Sequence, residues 1–246
     1  MIDQLITTFL RRPYVFAFLA AFLFLAWRRG GWRRTILWLI TGYLIAWVSE
    51  VSSIHNGFPY GLYKYVYESM PGELMIFGVP FFDSLSYAFL SYAGFAVASF
   101  FAVNRESSSR RTSVALVLLA AFFTMLIDVV VDPVATMGDR WFLGKIHYYV
   151  YPGFYFGVPL TNFGGWFLVA LTIVACNALL WRLAPAFFAP RERLPRLRIL
   201  DPIFYLSIGL FQTSIAFWIG EPRLGMVNMM ILTTLALALV VRNRTA

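Results

Sequence analysis

The 246-residue sequence is short of the groups on which many enzymes depend. One cysteine, Cys176, sits inside an apolar run, which excludes an intramolecular disulfide and a thiolate zinc site. Two histidines, His55 and His147, are too few for the histidine-rich di-iron centres of membrane hydroxylases and desaturases, and give only a weak basis for a bis-histidine haem. Both lysines, Lys64 and Lys145, fall in loops, so no intramembrane amine is available for a retinal Schiff base. Phosphate-cradling and dinucleotide-binding glycine patterns are absent. The amino terminus does not present a basic region, a short apolar core and a small-residue cleavage site in that order, so the first helix is expected to be retained. Charged residues make up only 13% of the chain, about half the share usual in a soluble domain.

What is there is apolar. Hydrophobic residues are 60% of the chain and the mean hydropathy is +0.72, the composition of an integral membrane protein. The net charge of +8 comes from arginines lying between apolar runs, where they act as topology signals, so nucleic acid is not expected as a partner. Spans are expected at Ile6–Trp27 (interrupted by Arg11 and Arg12), Thr35–Ile54, Val79–Val103, Ser113–Asp132 (stopped by Pro133), Thr161–Ala184, Pro202–Ile219 and Leu224–Val241. The fold class is therefore all-α: a polytopic membrane protein of about seven transmembrane helices in one domain, residues 1–246. With the loops after the first, third and fifth spans and the carboxyl terminus on the cytoplasmic side of the cell membrane, 14 of 20 basic residues lie there, and nine of 12 acidic residues lie opposite.

A phrase occurs twice, as Phe77-Gly78-Val79-Pro80 and Phe156-Gly157-Val158-Pro159, 79 residues apart. Each copy follows a tyrosine-rich segment and precedes a polar residue opening an apolar run, Asp83 and Asn162. Before each loop, an apolar run ends in carboxylates: Glu50 in the first case, Asp128 and Asp132 in the second. This pattern predicts an internal helix-loop-helix duplication with units at about 35–103 and 113–184, each phrase returning the chain to the membrane and setting a polar side chain beside a carboxylate.

Glu50, Asp83, Asp128, Asp132, Asn162 and Glu221 come out at one membrane depth. Ionisable groups in a span cost about 2.5–3.5 kcal/mol at its centre, so several together need compensation. Two arrangements satisfy this: interfacial pairs with Arg140, Arg223, His55 or His147, or a polar pocket beneath the two loops. Asp128 and Asp132, four residues apart, share a helix face with Thr124. They lack the fuller aspartate-rich pattern that holds a magnesium-diphosphate, and no metal site or cofactor is expected. Carboxyl groups beside aromatics suit acid chemistry on an apolar substrate, in which a neutral carboxylic acid protonates a double bond and aromatic faces stabilise the cation. Asp128 or Asp132, with Glu50, is the candidate acid; Asp83 and Asn162 are candidates to orient water or balance the cation. Tyr60, Trp141, Tyr148, Tyr155 and Trp166 are candidates to line the substrate site.

The segment Asp128 to Pro133, the tyrosine-rich loop, and Tyr155-Phe156-Gly157-Val158-Pro159-Leu160-Thr161-Asn162-Phe163-Gly164-Gly165-Trp166 resemble the membrane-embedded carotenoid 1,2-hydratase family of the bacterioruberin and γ-carotene type. Glu50, Gly57, Tyr60-Gly61 and the first Phe-Gly-Val-Pro copy are similar too. The resemblance implies addition of water across the terminal double bond of an acyclic carotenoid end group, giving a tertiary alcohol without a redox cofactor. Its implied partners are a long polyene from the bilayer, water as co-substrate, and membrane lipids. It transfers no catalytic residue. Ring closure or isomerisation with the same proton donor, a carotenoid or lipid carrier, and a proton-coupled transporter are the competing readings.

Overall fold

Long apolar runs in lipid satisfy their backbone polar groups internally by becoming helices, and the computed structural model has eight among the described residues, 1–102, 113–141, 144–189 and 199–245. They are α1 (Ile2–Arg11), α2 (Pro13–Gly30), α3 (Trp32–Asn56), α4 (Phe81–Ala102), α5 (Val114–Thr136), α6 (Leu160–Leu183), α7 (Leu200–Trp218) and α8 (Pro222–Thr245). Helices α3 to α8 are each long and apolar enough to cross a membrane, and α1 with α2 makes a seventh candidate bent by 92°. The basic loop Arg105–Arg111 and most of the Pro185–Arg198 linker lie outside the described residues.

Two expectations about helix ends are corrected. The first apolar stretch is two helices, not one. Arg12 precedes Pro13, whose ring disfavours helical geometry in the residue before it, and the Arg12 backbone sits at φ −120, ψ 47. The resulting corner leaves α1 with Ile6, Phe9 and Leu10 exposed along one side. The second correction is at Pro133, where α5 does not stop but continues to Thr136. Proline there removes one hydrogen bond in the last turn, a loss that a helix end tolerates better than its middle. Asp132 thus lies a full turn inside the helix.

Helices α3, α4, α5 and α6 form a closed ring, each packed on the next and α6 returning to α3. Helix α4 is the most enclosed, also touching α2 and α7. Gly94 on α4 faces Thr124 and the carbonyl of Ala120 on α5 so closely that a β-carbon there would collide with both, which explains a small residue at the most intimate helix contact.

Both Phe-Gly phrases fold alike. Phe77 (φ 52) and Gly78 (φ 80) are the corner of a hairpin between β2 (Met75–Ile76) and β3 (Val79–Pro80), once the chain has passed β1 (Tyr63–Tyr65). Phe156 (φ 48) and Gly157 (φ 86) repeat it between the bridged residues Tyr155 and Val158. Two consecutive positive φ values define the two-residue turn that suits a right-twisted hairpin. Phenylalanine in that region costs on the order of 1–3 kcal/mol. At the first corner, the ring is 77% exposed and meets Trp47 edge to face, as expected of an aromatic anchor at the membrane surface.

The two loops also pair with each other. Strand β1 lies antiparallel to β4 (His147–Tyr149), with Tyr63 opposite Tyr149 and Tyr65 opposite His147. Alternation puts these four side chains on the buried face and Lys64 and Tyr148 on the outer one. A small aromatic ribbon thereby caps the ring of four helices.

Candidate active site

The capping ribbon reaches the carboxylates by hydrogen bonds. In the second half, Tyr149 Oη donates to Asp132 Oδ2 at 2.7 Å, and His147 Nε2 stands 3.2 Å from Asp132 Oδ1. From α6, Asn162 Nδ2 donates to Asp128 Oδ2 at 2.6 Å and to Asp132 Oδ2 at 3.3 Å, so one amide ties two carboxyl groups together. In the first half, Tyr65 Oη donates to Asp83 Oδ2 at 2.7 Å and lies 3.3 Å from Tyr63 Oη. Ser84 Oγ hydrogen-bonds Glu50 Oε2. The side chain beside Glu50 is therefore Ser84, the neighbour of the expected Asp83. Glu50 to Ser84 and Asp128 to Asn162 span the same 34 residues, so the two halves make equivalent helix-to-helix bonds, and Asp83 is left free to face elsewhere.

It faces a cavity of about 110 Å³ enclosed by α2, α4, α5, α6 and α7 beneath Trp141, Ile146 and His147. Asp83, Asp128 and Asp132 all line it, with Gln212 from α7. Asp132 has both oxygens engaged, whereas Asp83 and Asp128 each keep one oxygen outside any hydrogen bond among the described residues. The hydrophobic part of the wall includes Trp166, stacked on Tyr87 with centroids 4.0 Å apart and planes at 14°. Tyr60 packs behind this pair, 6.3 Å from Trp166. Its approach depends on Gly165, where a β-carbon would lie 2.6 Å from the Tyr60 ring and 2.7 Å from the Pro59 carbonyl.

A larger hollow of about 390 Å³ lies between α3 and α6, bounded by Leu44, Val48, Phe58 and Leu168. It is open and its lining has no ionisable side chain, so size and chemistry point to different places and chemistry decides in favour of the smaller cavity.

The matched family is described as carotenoid biosynthesis protein, and its model covers residues 12–241. The chain belongs to the carotenoid biosynthesis protein family. No curated protein and no solved structure matches it. In this carotenoid biosynthesis protein the cavity gathers charged side chains between helices long enough to span a membrane.

Not all candidate residues gather there. Asp83, Asp128, Asp132, Trp141 and Trp166 line the cavity, and Asn162 and Tyr60 support it from behind. Glu50 lies behind Ser84 and is not in the wall. Tyr148 is on the outer face of the ribbon, 45% exposed, and Tyr155 is half-buried in the second hairpin against Phe163. Sequence reasoning assigned no part to Tyr65, Tyr149, Tyr87 or Gln212. The signal for the first two was the period-two alternation in Tyr63-Lys64-Tyr65 and His147-Tyr148-Tyr149. Of the expected ion pairs, His147 takes Asp132 and Arg140 takes Glu221, while His55 Nδ1 meets the carbonyl of Val51.

Burial, and then the charges of nearby carboxylates, push the phenols of Tyr65 and Tyr149 well above their usual 10, so both remain donors at any working pH. For His147, burial pulls downward but the hydrogen bond to Asp132 and the charges of Asp132 and Asp83 outweigh it, raising the imidazole above its ordinary 6.5. A raised folded value means that the stabilisation is full below 6.5 and is lost as pH rises through the folded value. The thermal midpoint of the detergent-solubilised protein is expected to fall across that window, and His147→Gln is expected to flatten the dependence.

Proposed function

We propose that the protein hydrates the terminal double bond of an acyclic carotenoid end group to a tertiary alcohol, acting as a hydro-lyase of the cytoplasmic membrane with its carboxyl terminus inside. The observation that carries this reading is that Asp83 and Asp128, each with an unengaged carboxyl oxygen, line one small cavity walled by Trp141, Trp166 and Tyr87. Asp128, held by a single amide and adjacent to Asp132, is the proton donor. Asp83 is the carboxylate that receives the proton of the attacking water.

The step balances without another reactant. The Asp128 proton and the π electrons of the double bond form a new C–H bond, leaving a tertiary cation on the neighbouring carbon. Water forms the C–O bond and gives up a proton to Asp83, and exchange with solvent then removes the proton from Asp83 and returns one to Asp128. The aromatic faces and the neighbouring carboxyl of Asp132 stabilise the cation. A cavity of about 110 Å³ takes one isoprene-sized end, being somewhat smaller than the roughly 150 Å³ that accommodates benzene in an engineered protein. The rest of the polyene remains outside, in lipid. Units 35–103 and 113–184 act as one domain in this scheme, each contributing one of the two reacting carboxyl groups.

Expression in a host that accumulates lycopene tests the proposal. A product heavier by one water is expected. A cyclic product of equal mass would replace hydration with ring closure, and unchanged pigment would reject both.

A further inference from the structure

Gln212 lies on α7, outside the two alike halves, and lines the carboxylate cavity one turn after Ile208, which lines it too. Its side chain is buried, with the residue 8% exposed, and its Oε1 has no hydrogen-bond partner in the protein. A buried amide oxygen without a donor is costly, and more so where the local dielectric is low. Its neighbours in the wall do not relieve it: none of the donors Tyr14, Ser86, Tyr87, Trp141 and His147 bonds it, with Ser86 turned to the carbonyl of Phe82 and His147 to Asp132, while Asp83 and Asp132 accept hydrogen bonds and the proton of Asp128 is committed to the substrate in the scheme above. A hydrocarbon end group brings no donor either. What satisfies this amide is a ligand bearing O–H.

We infer that Gln212 holds the attacking water, and afterwards the tertiary hydroxyl of the product. The inference rests on the hydration reading above and assigns a residue that neither the repeat nor the family phrase contains. Water donating one hydrogen to Gln212 Oε1 and the other to the free oxygen of Asp83 keeps a lone pair for the cation. When the C–O bond forms, the proton shared with Asp83 leaves to that carboxylate. The hydrogen bonded to Gln212 stays on oxygen as the alcohol O–H. Gln212 thus decides how the cation ends, and has no part in how it begins.

That division is measurable in membranes equilibrated with D2O and supplied with lycopene. In Gln212→Met, a cation that is not captured by water returns to alkene by losing a proton, and leaves deuterium in the recovered polyene. Alcohol is expected to fall about 100-fold, as for other losses of reactant positioning, while deuterium uptake into lycopene persists. Gln212→Leu is expected to behave likewise, and both variants should melt no lower than the parent because the buried amide oxygen that they lose has no partner in the protein. Hydration at the parental rate would overturn the assignment. So would loss of alcohol and deuterium together in a folded variant, which would place Gln212 in the protonation step, and so would failure of both variants to fold. The parent reading fails in a different way, with neither alcohol nor deuterated polyene from the unmodified protein.

Discussion

Asp128→Asn is expected to lower hydration by about 10²- to 10⁴-fold, the contribution usual for a positioned general acid. The substitution is close to isosteric, and the new carboxamide oxygen can still accept the 2.6 Å bond from Asn162, so the α5–α6 junction should survive. What is lost is the transferable proton. Without it protonation of the double bond slows, so deuterium uptake from D2O should fall together with the alcohol, the opposite of the separation expected at Gln212. Glu50→Gln makes the informative contrast. Glu50 holds the position in the first half that Asp128 holds in the second, but it lies behind Ser84 and outside the cavity wall. Most activity should remain. The measurement is product formed per unit of folded protein in membranes, with an unaltered melting temperature as the control. Near-parental turnover in Asp128→Asn would remove the proton donor from the scheme.

The contrast between Glu50 and Asp128 marks how far the sequence could be read. Repetition placed both carboxylates correctly before their loops, because apolar runs and a doubled Phe-Gly-Val-Pro phrase are local signals. It could not say which of them reaches the cavity. That depends on a one-residue difference of register: Asn162 bridges to the carboxylates of the preceding helix, whereas in the first half Ser84 does so and Asp83 turns towards Tyr65. The turns themselves were legible as punctuation but not as geometry, since positive φ is usually advertised by glycine or asparagine and here falls on phenylalanine in both copies. His147 and Tyr149 were visible as polar groups near the membrane surface. Their pairing with Asp132 required the β1–β4 register, and nothing local specifies which residue of one loop faces which residue of the other. Gln212 was the hardest to read. A single amide in the apolar run of α7 looks like a tolerated polar residue until the helix is seen packed against α4 and α5.

Glu73→Gln is expected to destabilise the protein by about 3–5 kcal/mol, the usual cost of leaving a buried charge without its partner. Glu73 belongs to the first loop. Its Oε1 takes Arg12 Nη2 at 2.9 Å and Arg11 Nε at 3.1 Å, and its Oε2 takes Arg12 Nε at 3.0 Å. The side chains of Arg12 and Glu73 are both fully buried, and the Arg12 guanidinium also lies 4.2 Å from the centre of the Phe82 ring, which lines the carboxylate cavity. The two arginines that interrupt the first apolar run therefore lock the α1–α2 corner to the loop, with Thr8 Oγ1 accepting from Leu74 N at 2.9 Å as a second tie. Neutralising Glu73 strands the Arg12 charge, and the chain must either hold it uncompensated or release α1. The expected readouts are a lower melting temperature in detergent and faster proteolysis between α1 and α2. Replacing both partners, as Arg12→Met with Glu73→Met, removes charge and counter-charge together and should recover much of the loss, because an apolar pair often substitutes for a buried ion pair without penalty. Recovery in the double variant would identify the defect as an unpaired charge; a double variant as unstable as Glu73→Gln would mean that the ion pair itself, through the geometry it imposes on Phe82 and the corner, holds this side of the cavity closed.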